Sequence, residues 1–319
     1  MSDLLRGFAV AAGLALVFVL LPAGLTALNQ SYLFRLAELS MLFTILAASL
    51  NLVTGTAGLV SLGHAAFYAV GAYTAAILAA RTGLGLEVTL PASVLATGAV
   101  AFVVAIPAIR LVRIFFTVAT LSVGEIINIT MLNWDALTRG PMGLRGIPSL
   151  SLFGWPLGSQ VPTYFTIAAV TALVLWIVHR LTNSAYGNAL RALREDDQSA
   201  SGMGINTALM KTGAFAISGG LAGAAGCLLA HSTGYISPDM FGLDQSILIL
   251  TMVVVGGLGS LPGAVVGACV LILVPELARG AGHLRTVLVG LVLYLSILLL
   301  PKGLLAEAWA LRFSRTVRR

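Results

Sequence analysis

Long apolar runs alternate with short polar breaks along this chain. Ten runs read as candidate membrane spans: Phe8–Leu28, Phe34–Thr54, Val60–Ala80, Thr89–Ile109, Arg113–Trp134, Val161–Arg180, Leu209–His231, Gln245–Leu258, Gly263–Leu277 and Arg285–Leu300. A helix needs about 20 apolar residues to cross a bilayer, and most of the runs meet that length. The last three are shorter, which suits tilted, re-entrant or half-helices and puts the span count at eight to ten. The pattern predicts an all-α integral membrane protein, one domain over residues 1–319, with some helices short or broken. Arg6 followed by the apolar run Phe8–Leu21 and Pro22 also fits a signal peptide, but the run continues through Leu28, which favours an uncleaved helix.

One island breaks the apolar pattern. Leu190–Asn206 reads LRALREDDQSASGMGIN and packs Arg191, Arg194, Glu195, Asp196 and Asp197 into seven residues. Each charge costs about 2.5–3.5 kcal/mol at a bilayer centre, so the group would cost on the order of 15 kcal/mol there. The island therefore lies outside the hydrocarbon. Gly202, Gly204 and Asn206 favour a helix stop and an exit turn. A short polar helix between spans is expected to press on a soluble partner.

Composition agrees with a membrane chain. It is 58% hydrophobic and 9% charged, against about 25% charged in soluble domains. In that setting a net charge of +6 marks loops and phospholipid contact, not nucleic acid. With ten spans and a cytoplasmic N-terminus, twelve of the eighteen basic residues fall inside, the expected bias. Both termini and the island are then cytoplasmic. The tail from Lys302 to Arg319 carries four arginines with Trp309, Leu311 and Phe313, fit for an anionic inner leaflet or for a simple stop signal. The loops Asp135–Gln160 and Gly234–Asp244 are assigned to the outside, the first either a plain connection or long enough to cover a pore mouth or meet a soluble partner. Cys227 and Cys269 lie in apolar runs and give neither a disulfide framework nor metal-ligand spacing.

Two span junctions resemble each other. VTGTAGLVSLGHAAF (Val53–Phe67) and VGGLGSLPGAVVG (Val255–Gly267) both carry a glycine cluster, then Ser-Leu, then an apolar helix. Glycine-interrupted hydrophobic segments point to the transport path in many carriers, and chance similarity among loop glycines is the plain alternative. Gly219 and Gly223, and Gly259, Gly263 and Gly267, recur every four residues, which allows close helix contact.

Polar residues inside spans are functional candidates. Glu125 sits near the middle of the fifth span with Asn128 one turn on, either paired to another helix or lining a path. His64 and Tyr68 open the third span, where a satisfied structural histidine is the commoner outcome. Glu38 and Arg35 fit a local ion pair, and His231 an interfacial position. No G-x-x-x-x-G-K-[ST], H-E-x-x-H or G-x-S-x-G motif is present. These absences argue against an enzyme and against ATP binding through a phosphate loop, and no cofactor or metal is expected.

Several blocks together resemble the permease subunits of binding-protein-dependent ABC importers, in particular the LivM type of branched-chain amino acid permease. They are SLGHAAFYAVGAYTAA (Ser61–Ala76), RIFFTVATLSVGEI (Arg113–Ile126), Asn183–Asn206, KTGAFAISGGLAGAAG (Lys211–Gly226), Pro238–Phe241 and VVGGLGSLPGAVVGA (Val254–Ala268). The likeness implies an inner-membrane permease working with a second related permease, two cytoplasmic ATP-binding subunits and an extracytoplasmic solute-binding protein. It implies a coupling loop over residues 181–207, with Arg191, Arg194, Glu195, Asp196, Asp197, Gly202 and Gly204 meeting the ATPases. It implies helix rearrangement around an apolar path near Gly58, Gly63, His64, Tyr68, Glu125, Gly257 and Gly259. Two places depart from the family pattern. The E-A-A-x-x-x-G loop signature reads Gln198-Ser199-Ala200 and then Gly204, and the T-G-G-x-x-G block reads Thr138-Arg139-Gly140-Pro141-Met142-Gly143. Urea and amide importers share this permease type, so substrate stays open on these residues. A stand-alone secondary transporter or channel is the rival class, in which the island is only a solvated loop.

Overall fold

The computed structural model describes residues 31–111, 113–152, 154–277, 290 and 303–304. The predicted first span, most of the last span and most of the basic tail lie outside the described residues. The other eight predicted spans are all helices: α1 (Ser31–Asn51), α2 (His64–Thr82), α3 (Leu86–Ala108), α4 (Arg113–Asn133), α5 (Gln160–Thr182), then α8 (Thr207–Thr233), α9 (Leu243–Gly256) and α10 (Leu261–Leu277). Between α5 and α8 the polar island forms two short helices, α6 (Ala185–Glu195) and α7 (Asp197–Gly202).

Among the described residues, six segments are long and apolar enough to cross a membrane: Tyr32–Thr56, Leu86–Ala108, Ile114–Asn133, Gln160–Thr182, Thr207–Thr233 and Pro238–Gly256. Helix α2 has the length but carries His64, Tyr68, Tyr73 and Arg81, which lower its hydropathy. Helix α9 alone has 14 residues, about 21 Å at 1.5 Å per residue, short of a ~30 Å hydrocarbon core. The 3₁₀ turn Pro238–Phe241 in front of it extends the segment to 19 residues.

The core is centred on α1 and α8. Every residue from Met41 to Asn51 is buried, and α1 packs on α5, α8, α9 and α10. Lipid gives apolar helices little reason to associate, so close backbone approach and dispersion hold such bundles together. Helix α8 meets that need with small residues against α2 and α3. A Cβ added at Gly71 would lie 2.3 Å from the Gly223 Cα, and one at Gly219 would lie 2.4 Å from the Ala101 Cβ. The α9–α10 hairpin closes the same way at Gly256 and Gly263, where each added Cβ would lie within 2.4 Å of the other's carbonyl oxygen. Gly259, counted in the sequence with that stripe, instead occupies the turn between the two helices.

The Asp135–Gln160 loop is an ordered element and not a bare connection. It holds one helical turn (Asp135–Thr138), a 3₁₀ turn (Gly140–Met142) and three short strands. Strand β1 (Leu144–Arg145) pairs antiparallel with β4 (Tyr235–Ile236), with Leu144 opposite Ile236. Strands β2 (Ser151–Leu152) and β3 (Trp155–Pro156) pair with each other. The two loops at this end are thus one ribbon, with the Arg145 guanidinium 5.4 Å from the Tyr235 ring centroid. His231 ties the ribbon to the bundle: Nε2 lies 3.0 Å from Thr89 Oγ1 and Nδ1 lies 2.9 Å from the Pro148 carbonyl oxygen. It is buried between the bundle and the ribbon, near the C-terminal end of α8. Arg35 reaches both Glu38, at 3.9 Å, and the Ser232 carbonyl oxygen, at 3.1 Å, so the predicted local pair also joins α1 to α8.

Candidate functional site

The polar island starts with a capped amphipathic helix. Ser184 Oγ accepts the Gly187 N–H at 3.4 Å, and α6 buries Gly187, Leu190 and Leu193 while exposing Arg191, Ala192 and Glu195. Tyr186 donates its hydroxyl to the Met210 carbonyl oxygen at 2.8 Å, fixing α6 against the start of α8. The sequence reads as a single helix here, but the chain breaks at Asp196, which is extended (φ −152°, ψ 114°). The cause is capping. Asp196 accepts the Gln198 N–H at 2.9 Å and the Ser199 hydroxyl at 2.5 Å, and so starts α7 as an N-cap. Those bonds, the Ser199 hydroxyl first, hold the Asp196 carboxyl below its ordinary range. Ser199, one of the departures from the family signature, is thus part of the cap.

The other island charges differ in their surroundings. Arg191 is exposed, bonded to Asn188 Oδ1 at 2.7 Å and to the Thr182 carbonyl oxygen. Asp197 forms an ion pair with Lys211 of α8, whose side chain is buried. Glu195 is exposed. Gly202 and Gly204 stand in the exit turn with open space around their Cα atoms, Gly204 at φ +86°. Met203 between them is 83% exposed, and Asn206 caps α8 by accepting the Leu209 N–H at 3.0 Å.

Arg194 is different, because its side chain runs inward. Helix α1 continues into a fully buried π-helical turn, Leu52–Thr56, before the chain breaks. A π turn offsets the ordinary i to i−4 ladder and leaves backbone groups to be satisfied from elsewhere. The Arg194 guanidinium donates to the Gly55 carbonyl oxygen. A Cβ at Gly58, which has φ +72°, would lie 2.8 Å from Arg194 Cγ. The α9–α10 turn comes to the same point, where the Gly259 N–H donates to Asn51 Oδ1 at 2.8 Å. A Cβ at Gly55 would lie 2.1 Å from that oxygen and 2.3 Å from the Gly259 nitrogen. The two look-alike glycine junctions therefore face each other across a backbone-to-backbone contact, with the end of α6 laid over both.

The remaining predicted path residues divide between packing and an open face. His64 is buried, with Nε2 2.8 Å from Ser49 Oγ, and the Ser218 hydroxyl donates to the Ser49 carbonyl oxygen at 2.6 Å. That network joins α1, α2 and α8, which is a structural role. Tyr68 is buried, its ring edge-on to Phe241 at 5.1 Å. Gly63 lies where a Cβ would meet the Thr120 carbonyl oxygen at 2.3 Å, so this glycine lets the junction touch α4. Gly257 (φ 116°) is packed by Gly303, and the Leu304 N–H bonds the Val255 carbonyl oxygen at 2.9 Å. Glu125 is exposed on α4, together with Val118, Ser122 and Ile129 of the same helix face. It borders a small cleft with Leu62, Asn128, Phe241 and Ser246, which Gly242 and Leu243 at the start of α9 also line. Asn128 Oδ1 is buried and has no hydrogen-bond partner among the described residues.

Sequence reasoning missed Asn51 and the partnership of Lys211. Asn51 is a lone amide within SLNLVTGT, a polar residue inside an apolar run. That is the only local signal for it, because its partner is remote.

The profile of a family described as "Branched-chain amino acid transport system / permease component" matches residues 32–300. The high-affinity branched-chain amino acid transport system permease protein LivM of Escherichia coli (strain K12) is 34% identical over 293 residues, covering 85% of this chain and 69% of that protein. LivM of Salmonella typhimurium is 33% identical with the same coverage. The permease protein LivH of Salmonella typhimurium is 28% identical over 294 residues, 86% of this chain and 94% of its own length. No solved structure matches the chain. Because that profile spans most of the chain, residues 32–300, the chain belongs to the branched-chain amino acid transport system permease component family.

Proposed function

We propose that this chain is one of two membrane-spanning subunits of an importer for branched-chain or related amino acids, driven by ATP hydrolysis on separate subunits. The observation that carries the reading is the family match over residues 32–300. LivM and LivH are both named as permeases of a branched-chain amino acid system, and this chain resembles both, which suits a pair of related permeases. An extracytoplasmic binding protein delivers the substrate, and the end bearing the Asp135–Gln160 ribbon receives it. The bias of Lys and Arg supports a cytoplasmic position for α6 and α7. There the exposed Arg191, Glu195 and Met203 form the surface for the ATP-binding subunits. Both termini are cytoplasmic in this arrangement, and the membrane is the bacterial inner membrane.

Glu125 bears on the path. A carboxylate exposed near the middle of a 21-residue apolar helix does not face lipid at rest. The α4 face carrying it is placed against the second permease, where the two subunits enclose the route. The test is co-expression with the candidate ATP-binding subunits and binding protein, purification of the complex, and ATP hydrolysis measured with leucine, isoleucine, valine, urea and short amides. Stimulation by the branched amino acids supports the reading, and stimulation by urea or amides alone moves the substrate to that class.

A further inference from the structure

Arg194 is half-buried and its side chain runs inward, although it sits in the last turn of the helix that would meet the ATPases. Its stem fills the space that a side chain at Gly58 would need, and its guanidinium reaches the Gly55 carbonyl oxygen. The same guanidinium borders Gly259, where an added Cβ would lie 3.5 Å from Nη1. One side chain at the end of α6 thus bonds the break after α1 and borders the turn between α9 and α10. These two breaks are also bonded to each other through Asn51 and Gly259.

We propose that Arg194 is a positioning residue that transmits displacement of α6 directly to both helix breaks, so that they move with the loop as one body. The inference rests on the importer reading above. A guanidinium suits the task because its planar fork holds several donors in fixed directions, while a lysine offers a single mobile point. Gly55 is required because the Asn51 side chain and the Gly259 backbone occupy the space of a Cβ, Gly58 because the Arg194 stem does so at φ +72°, and Gly259 because its φ of +83° is left-handed. An arginine kept only for ATPase contact would stand exposed beside Arg191 and Glu195.

The test uses the full complex of both permeases, ATP-binding subunits and binding protein in vesicles. For Arg194→Ala, uptake per ATP hydrolysed falls about tenfold or more, as expected for loss of a charge-assisted hydrogen bond. The ATP-binding subunits still co-purify in the wild-type ratio, and hydrolysis no longer rises with loaded binding protein. Arg194→Lys recovers part of the coupling. Wild-type uptake per ATP in Arg194→Ala overturns the proposal, and so does loss of the ATP-binding subunits, which would make Arg194 a docking contact. If Arg194→Ala does not accumulate, spin labels decide with Arg194 intact, in a background with Cys227 and Cys269 replaced by alanine. The A192C–V60C distance stays constant between nucleotide-free and ATP-bound complexes while A192C–L95C changes. A V60C distance that changes as much as the L95C distance overturns the proposal. Absence of any ATP-driven uptake in the wild-type complex counts against the importer reading instead.

Discussion

Asn51 and Gly259 stand 208 positions apart in the chain and are joined by one hydrogen bond, from the Gly259 N–H to the Asn51 side-chain oxygen at 2.8 Å. Asn51 is buried. Asn51→Leu removes the acceptor and leaves the Gly259 N–H without it, a loss of about 1–3 kcal/mol. The apparent unfolding midpoint of the purified chain is expected to drop. An unchanged midpoint would mean that the bond contributes nothing. Gly55→Ala is expected to be worse, since its Cβ would enter the same contact.

The Asp197–Lys211 pair fixes the exit of the loop. The Lys211 side chain is 9% exposed and that of Asp197 51%, so solvent screens one side only. Asp197→Asn leaves the buried ammonium poorly compensated and is expected to destabilise by about 1–2 kcal/mol. Adding Lys211→Met should recover most of that loss. Limited proteolysis of the loop measures both, and a double variant no better than the single one would show that the pair acts through something else.

Arg139 is the one non-glycine residue with positive φ among the described residues, at φ 60°. It stands where the family block resembles T-G-G-x-x-G. The left-handed conformation costs a side chain about 1–2 kcal/mol, which accounts for glycine in that block. Arg139→Gly is therefore expected to raise the unfolding midpoint slightly, allowing for the extra freedom glycine gives the unfolded chain. A fall in the midpoint would show that the arginine side chain makes a compensating contact.

Asp196 should make the start of α7 sensitive to acid. Its carboxyl is held below the ordinary range by the Ser199 hydroxyl and the Gln198 N–H. A depressed folded-state value means that the cap's contribution is complete above the ordinary carboxylate pKa. It is lost as pH falls through the lowered value. Hydrogen exchange over Asp197–Gly202 is expected to speed up in that acid window. Asp196→Asn keeps an acceptor without a charge and should flatten the dependence, and an equally steep profile in that variant would assign it to another group.

Much of the architecture was legible because lipid imposes it. Runs of about twenty apolar residues must be helices when no water is available to the backbone, and eight of the predicted spans are helices within a few residues of their expected ends. The polar island declared itself through charge. The break at Asp196 did not, because Asp196 reads as one more surface charge until its bonds to Gln198 and Ser199 are seen. The inward course of Arg194 was hidden for a related reason. Its partner Gly55 is 139 residues away, and a helix pattern gives a side chain's face but not what lies over it. The likeness between the two glycine junctions was visible in sequence, whereas their contact depends on the packing of α1 against the α9–α10 hairpin.

This chain is expected to move solute only as part of an ATP-driven complex coupled through the α6–α7 loop. Uptake of labelled leucine by vesicles tests it, comparing this chain alone, the complete complex, and the complete complex carrying Glu195→Lys. Glu195 is the suitable site because it is exposed, whereas a change at Asp197 also frees Lys211. Expected are no uptake by the chain alone, ATP-dependent uptake by the complex, and a clear loss with Glu195→Lys. Gradient-driven uptake by the chain alone, unaffected by ATP or by Glu195→Lys, would contradict it.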